Sequence, residues 1–355
     1  MRRFGSALVT ATLVAVALPV GASAADQTED TTTSAVPEVV CSIDDPRLEE
    51  LSGLAADAEH VYAVNDGGTR LEVAVLDDDC RVRDVITAPT DPYDVEDLAL
   101  GPDGTLWLGD TGDNRRRRET AAVHALSRDG TSVLYRLTYP DGPQDAEALV
   151  VDHTGTPYII TKNVLGTARV YRPAQPLVSP GPTPLEHVGT VSLRTTDTPG
   201  GPVGELGSVL VTGAALSADG SVVALRTYTD AYLYPVTDGD IVAAFTREPV
   251  RVPLPDEKQG EAIAFTPDGT LLSASEGRGE PLRAVPNAVS LVDTRSSGEA
   301  DADEAEEPAS HAAETPEEPV EHESGLGVAP ALVIAVITAA VLVAWGSRRR
   351  RRNDA

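Results

Sequence analysis

Glu96, Glu147 and Glu261 open three segments that can be laid on one another: EDLALGPDGTLWLGD, EALVVDHTGTPYIIT and EAIAFTPDGTLLSAS. TGAALSADGSVVALR from Thr212 and a weaker copy, SGLAADAEHVYAVND from Ser52, complete the set. The copies close on further polar residues: Asn65 and Asp66, Asp110 with Asp113 and Asn114, Lys162 and Asn163, Arg226, and Glu276. Carboxylates repeated at one point of a repeat converge when the repeats form a ring. Such like-charge crowding shifts pKa values or recruits a cation. Three chemistries fit these residue types. Glu96, Glu147 and Glu261 can serve as catalytic acids or bases. Asp66, Asp97, Asp110, Asp113 and Asn114 offer the hard oxygen ligands that suit Ca2+ in an exported protein. Lys162 and Arg226, with Tyr228 and Glu276, can bind a ligand through a phosphate or carboxylate. Lys162 is one of only two lysines in the chain. The same residues can equally form a self-satisfied ion-pair network at strand ends.

Other chemistries find little support. There is no G-x-S-x-G elbow and no H-E-x-x-H. His60, His124, His153 and His187 are scattered and none falls on the recurring positions, which argues against a Ser-His-Asp triad. Two carboxylates acting on a glycosidic bond remain open. The run Arg115 to Arg118 reads as an exposed loop. A formal charge of −28 excludes an electrostatic nucleic-acid binder.

The elements that must position these residues are hairpins. Each copy is a short apolar strand, a polar turn and a second strand. Asp103-Gly104, Asp219-Gly220, Asp268-Gly269 and Thr154-Gly155 supply the positive φ of tight turns. The spacing of the copies fits one four-stranded antiparallel blade per step. The fold expected is an all-β propeller of five blades, or six if one blade is unrecognised. Pro173 to Pro184 and Thr195 to Gly207 read as surface loops. Glu38 to Ile43 is strand-like and can close the ring as an outer strand. A Cys41–Cys80 disulfide, permitted by export, would staple it to the first blade. Closure matters because each blade buries its faces only against its neighbours.

The chain ends carry location signals. Residues 1–24 read as a signal peptide: Arg2 and Arg3, an apolar run from Ala7 to Val20, and the cleavage site Ala22-Ser23-Ala24. Residues 25–37 read as a flexible N-terminus and 38–297 as the propeller. Residues 298–325, with eleven acids and three prolines, read as a disordered stalk. Leu326 to Gly346 is apolar and long enough to span ~30 Å of hydrocarbon. Arg348 to Arg352 would hold the tail, residues 347–355, in the cytoplasm. The expected topology is single-pass in the cell membrane, with the domain outside.

The segments YDVEDLALGPDGTLWLGDTGDNRRRR, YPDGPQDAEALVVD, ITKN, ALRTYTDAYLY and KQGEAIAF resemble a family of exported, membrane-anchored actinobacterial β-propellers. That family is WD40-repeat-like and similar to phytase-like esterase propellers. The resemblance covers Leu51 to Glu276. It implies hallmark positions at Glu96, Asp97, Asp110, Asp113, Asn114, Asp145, Glu147, Lys162, Arg226, Tyr228, Gln259, Gly260 and Glu261. Phytase-like propellers use Ca2+ and an acidic channel on phosphoesters, so Ca2+ is the cofactor the resemblance implies. The Gly-His and Trp-Asp signatures of WD40 repeats are absent. Three functions follow: a surface module binding a polar ligand or surface protein, a Ca2+-dependent phosphoester or ester hydrolase, or a structural propeller with an internal polar network.

Overall fold

The computed structural model describes residues 36–292. The expected signal peptide, stalk, membrane helix and tail lie outside the described residues. Among the described residues, no helix is long and apolar enough to cross a membrane.

Alternating apolar runs separated by Gly turns fold into antiparallel meanders. The first strand among the described residues is β1 (Glu38–Ile43). One four-stranded sheet follows, made of β2 (Leu51–Ala56), β3 (Val61–Asn65), β4 (Leu71–Leu76) and β5 (Val82–Ala88). The second meander is β6 (Val95–Leu100), β7 (Leu106–Asp110), β8 (Ala121–Leu126) and β9 (Ser132–Thr138). The third is β10 (Ala146–Val151), β11 (Pro157–Thr161), β12 (Thr167–Pro173) and β13 (Thr183–Ser192). A short parallel pairing, Thr183 opposite Leu137 and Pro184 opposite Thr138, fuses these two into an eight-stranded sheet. β14 (Val211–Leu216), β15 (Val222–Thr227), β16 (Asp230–Pro235) and β17 (Val250–Pro253) form the next sheet. The last contains β18 (Gly260–Phe265), β19 (Leu271–Ser275) and β20 (Glu280–Val285), completed by β1. One short helix, α1 (Ile241–Ala244), precedes β17; Asp240 caps it by accepting Ala243 N–H at 2.9 Å. The sequence shows no helical period there because a single turn is too short to display one.

The first strands neighbour one another in cyclic order: β2, β6, β10, β14, β18 and back to β2. The architecture is therefore an all-β, propeller-like ring. Gly104, Gly155, Gly220 and Gly269 hold the positive φ that the turns require. β1 pairs with β20, and Cys41 is disulfide-bonded to Cys80 with 5.8 Å between Cα atoms. The closure is also apolar: Ile43, Leu54, Leu272 and Leu282 share one core cluster with Cys80. Burying such side chains contributes roughly 1.5–3 kcal/mol each.

The first strands pack closely because small residues face the ring axis. A Cβ at Gly213 would stand 2.5 Å from Glu261 O, and one at Gly53 would overlap Leu98 N. Ala148 and Ala262 hold the equivalent register positions. The fifth position is Asp97, which is wholly buried. Its Oδ1 accepts Leu98 N–H at 2.8 Å; its Oδ2 accepts Leu149 N–H at 2.8 Å and Ala214 N–H at 3.1 Å. One carboxylate thus ties β6, β10 and β14 together. Burial pushes its pKa well up, while the three amides pull the other way. Asp97→Ala leaves two buried amides of other strands without an acceptor, each costing roughly 1–3 kcal/mol. Urea unfolding is expected to show a loss of about 3 kcal/mol. A variant as stable as the parent would show that the ring does not depend on this carboxylate.

Candidate functional site

The positions that recur in sequence coincide with a backbone device. In each first strand the pairing register slips across one residue: Ser52, Glu96, Glu147, Thr212 and Glu261. A β-bulge leaves its extra residue unpaired and re-aims its side chain. Two of the five turn back to the backbone. Ser52 Oγ donates to Glu96 O and Thr212 Oγ1 to Gly260 O, both at 2.9 Å. The three glutamates remain at one end of the ring, 7 %, 3 % and 4 % exposed in chain order.

Lys162 lies one residue past β11, so its side chain reaches over the strand ends. Its Nζ donates to Glu147 Oε2 at 2.5 Å and to Tyr228 OH at 2.6 Å, and sits 4.7 Å from the Tyr228 ring centroid. Gln259 Nε2 donates to Glu261 Oε1 at 3.1 Å. Asp145 is buried and its Oδ1 accepts Asp113 N–H at 2.8 Å. On the adjoining side, oxygens of Asp66, Asp94 and Glu96 all lie within 4.8 Å of one another. Gly112 covers them: a Cβ there would overlap Glu96 Oε1 and stand 2.6 Å from Asp94 Oδ2.

Burial dominates the electrostatics. It pushes Glu96 and Glu147 well above the carboxylate range; Glu147, Asp94 and Asp66 push Glu96 further, whereas Lys162 pulls Glu147 back. Burial and Asp66 raise Asp94 to about 9. Burial raises Glu261 to about 8 against the pull of Lys162. Burial works against the charge on Lys162, yet Glu147, Tyr228 and Glu261 hold its pKa well up. The cluster therefore has more carboxyl groups than one lysine can neutralise. Burial and mutual repulsion favour the neutral forms of Glu96, Asp94 and Glu261, and an added cation would favour the charged ones.

The structure brings Glu96, Glu147, Glu261, Asp66, Lys162, Tyr228 and Gln259 to this mouth. Glu276 is half-buried and near enough to raise Glu261. Other expected residues stand apart. Asp97 braces the ring axis. Asp110 accepts from Tyr93 N, Asp94 N, Arg118 Nη2 and His124 Nε2 at 2.8–3.2 Å. Despite burial, those donors hold it down at about 2. Asp113 Oδ2 accepts Arg117 N–H at 2.6 Å and Arg118 N–H at 2.7 Å, and Asn114 is exposed. Arg226 is fully buried: Nη1 donates to Ala262 O at 2.9 Å and Nη2 pairs with Glu257, beneath Gly260, where a Cβ would overlap the guanidinium. Asp94 and Glu257 escaped the sequence reading. Asp94 could have been found by strand alternation, which puts it on the same side as Glu96. Glu257 lies in a connecting loop and carries no such signal.

No protein-family model matches the sequence, and no curated protein matches it. Among solved structures, the chain is similar to a luciferin-regenerating enzyme at 13 % identity, over 67 % of this chain and 78 % of that one, TM-score 0.40. A gluconolactonase from Xanthomonas campestris is 15 % identical over 66 % of this chain and 71 % of that one, TM-score 0.39. The PQQ-bound aldose sugar dehydrogenase from Streptomyces coelicolor is 10 % identical over 70 % and 98 %, TM-score 0.38. Likeness at this level says nothing of activity; the propeller-like ring rests on its own strand pairings.

The raised carboxyls make stability depend on pH. Glu261 ordinarily ionises near 4.5 and in the folded chain near about 8. Between those values the folded chain keeps a proton that the unfolded chain gives up, so stability falls as pH rises through that window. The slope is about 1.4 kcal/mol per pH unit for each such group. Asp94 adds in the same direction between 3.8 and about 9. Asp110 acts oppositely, losing its contribution as pH falls from 3.8 toward about 2. Without divalent cations, the urea midpoint should drop from pH 5 to pH 8; a flat or rising profile would show that the mouth carboxyls ionise freely.

Proposed function

We propose that the chain is a membrane-anchored, five-bladed surface propeller whose acidic mouth binds a divalent cation together with a polar ligand or surface protein. The observation that carries this reading is the imbalance at the mouth: three bulge-aimed glutamates, Asp66, Asp94 and Asp145 against Lys162, with Arg118 and Arg116 acting only on Asp94 and Asp145 from the flank. Asp66, Asp94 and Glu96 would hold the cation, and their hard oxygens suit Ca2+. The cover formed by Gly112 supports the fit, since any larger residue would fill the space between Asp94 and Glu96. Lys162 and Tyr228 would orient an oxygen of the ligand. The signal-like sequence of residues 1–24, the acidic stretch 298–325 and the apolar run Leu326 to Gly346 support an outside location for the domain.

Ca2+ binding to the folded state is expected to raise Tm in a concentration-dependent way, by RT ln(1 + [Ca2+]/Kd) in free energy. EDTA should reverse the shift, and Asp94→Asn with Glu96→Gln should abolish it. No shift in the parent protein, with or without EDTA, would overturn the reading.

One observation favours a second reading. Glu261, at about 8, titrates near neutral pH beside Lys162 and Tyr228, as a general acid or base must. In a metal-assisted hydrolase, p-nitrophenyl phosphate or acetate would turn over and Glu261→Gln would lower kcat at least about 100-fold. The Ca2+ shift would persist in that variant. A parent protein inert toward both esters leaves only binding.

A further inference from the structure

At the end of the ring opposite the mouth, a cavity of about 550 Å3 opens among the hairpin turns. Its walls come from the first strands, one step along from the residues at the ring axis. Ala55, Ala99, Ala215 and Ala264 stand two residues past Gly53, Asp97, Gly213 and Ala262, and all four line it. Asp97 fills the axis at its own level; at this level alanine is too short to do the same. Ala99, Leu100, Ala215 and Leu216 line the cavity and stay only half-buried, so the wall is open to a ligand. A pocket of a few hundred Å3 with apolar walls and a few polar groups suits a small molecule.

The polar groups on the rim narrow the class of ligand. Asp152, Asp219 and Asp238 line the cavity, and no lysine or arginine does. Two of these aspartates are already engaged. Asp152 Oδ1 accepts Thr154 N–H at 2.8 Å and Thr156 N–H at 2.9 Å; Asp219 Oδ1 accepts Ser221 N–H at 3.0 Å. Asp238 is exposed, and no described residue donates to its carboxylate. Arg247 stops one residue short, its Nη1 donating to Thr237 Oγ1 at 2.6 Å. His153 is also exposed, and its ring lies against Gly239, where a Cβ would stand 2.5 Å from His153 Cε1. Asp238 and His153 therefore adjoin the same glycine on the cavity rim. An ammonium group has three donors and no acceptor, so it can give one to Asp238 and another to the acceptor nitrogen of a neutral His153 ring. An anion would face three aspartates instead.

We propose that this cavity is a second binding site, for an apolar primary amine. Its hydrocarbon body covers the alanine walls while its ammonium group donates to Asp238 and His153. The site does not depend on the reading of the mouth, since it shares no residue with the carboxyl cluster.

Saturation-transfer NMR on the full-length protein in phosphatidylcholine nanodiscs, with empty nanodiscs as the blank, tests it with adamantan-1-amine and adamantane-1-carboxylate. The amine should receive saturation on its cage protons, in EDTA as well as in Ca2+. It should bind at least about tenfold more tightly than the carboxylate. Asp238→Asn, whose side chain tolerates the φ of 55° there, should weaken the amine about fivefold and leave Tm unchanged. Ala215→Phe should fill the cavity and remove the binding. Glu147→Gln, at the mouth, should leave it unchanged. No transfer to the amine, or equal affinity for the carboxylate, would overturn the proposal. Binding undiminished in both Asp238→Asn and Ala215→Phe would overturn it as well. So would binding that Glu147→Gln removes, which would put the amine on the acidic mouth. A Ca2+ shift in Tm that persists while the amine fails to bind would separate this failure from that of the mouth.

Discussion

The carboxylate of Asp97 is the constraint on which the ring depends. Five first strands can approach one axis only if the residues facing it are small, and Gly53, Ala148, Gly213 and Ala262 meet that need. The space they leave accommodates one larger group. Asp97 fills it and accepts amides from β6, β10 and β14 at once. The level of Asp97 also separates the two ends of the channel. Toward the hairpin turns, Leu54, Leu98, Ala214 and Phe265 line a cavity of about 550 Å3. Toward the other end, the bulge residues Glu96, Glu147 and Glu261 are buried against one another's strands. Burial, more than any single neighbour, raises the pKa of each of the three.

The two cations beside the ring show how strand position decides a side chain's role. Arg226 lies within β15, paired to Gly213 on one side and Ala231 on the other. It can leave the sheet only toward the neighbouring meander, where Ala262 O and Glu257 receive it. Ser273 Oγ donates to Glu257 at 2.8 Å, and Arg283 Nη1 lies 4.0 Å from the same carboxylate, so Glu257 is held by three side chains. A buried pair such as Arg226–Glu257 adds little net stability over an apolar equivalent but is costly to break. Lys162, just past the end of β11, is free of the sheet; its side chain is 16 % exposed and swings over the mouth. A ligand can compete for Lys162 in a way it cannot for Arg226.

Much of this was legible in the sequence, and the reason is periodicity. Asp-Gly turns mark hairpins, and alternation marks strands. A repeat places equivalent residues equivalently, so Glu96, Glu147 and Glu261 could be grouped before any bulge was known. The closing strand followed from the need to seal the ring, and the Cys41–Cys80 disulfide from the exported context and a chain with only two cysteines. Loops have no such rule. Asp110 and Asp113 look like ligands in DTGDN, yet their oxygens are consumed by amides of Tyr93, Asp94, Arg117 and Arg118. Which donors a carboxylate meets depends on the path of the chain around it, and no pattern of residue types specifies that path.

Asp94 and Asp110 show what that path accomplishes. Asp110 Oδ1 accepts the backbone N–H of Asp94, so the position of one aspartate is set by the other. Asp110, surrounded by four donors, stays ionised at about 2. Asp94, driven up by burial and by Asp66 against the weaker pull of Arg118, stands at about 9. The same residue type thus takes opposite protonation states about one strand apart. Carboxylates rich in donors are ionised and structural; they anchor the 93–94 and 111–118 loops. Carboxyls deprived of donors stay neutral and hold their oxygens in reserve. A binding site needs the second kind held in place by the first, because a carboxyl already satisfied by its own chain has nothing left to offer a ligand.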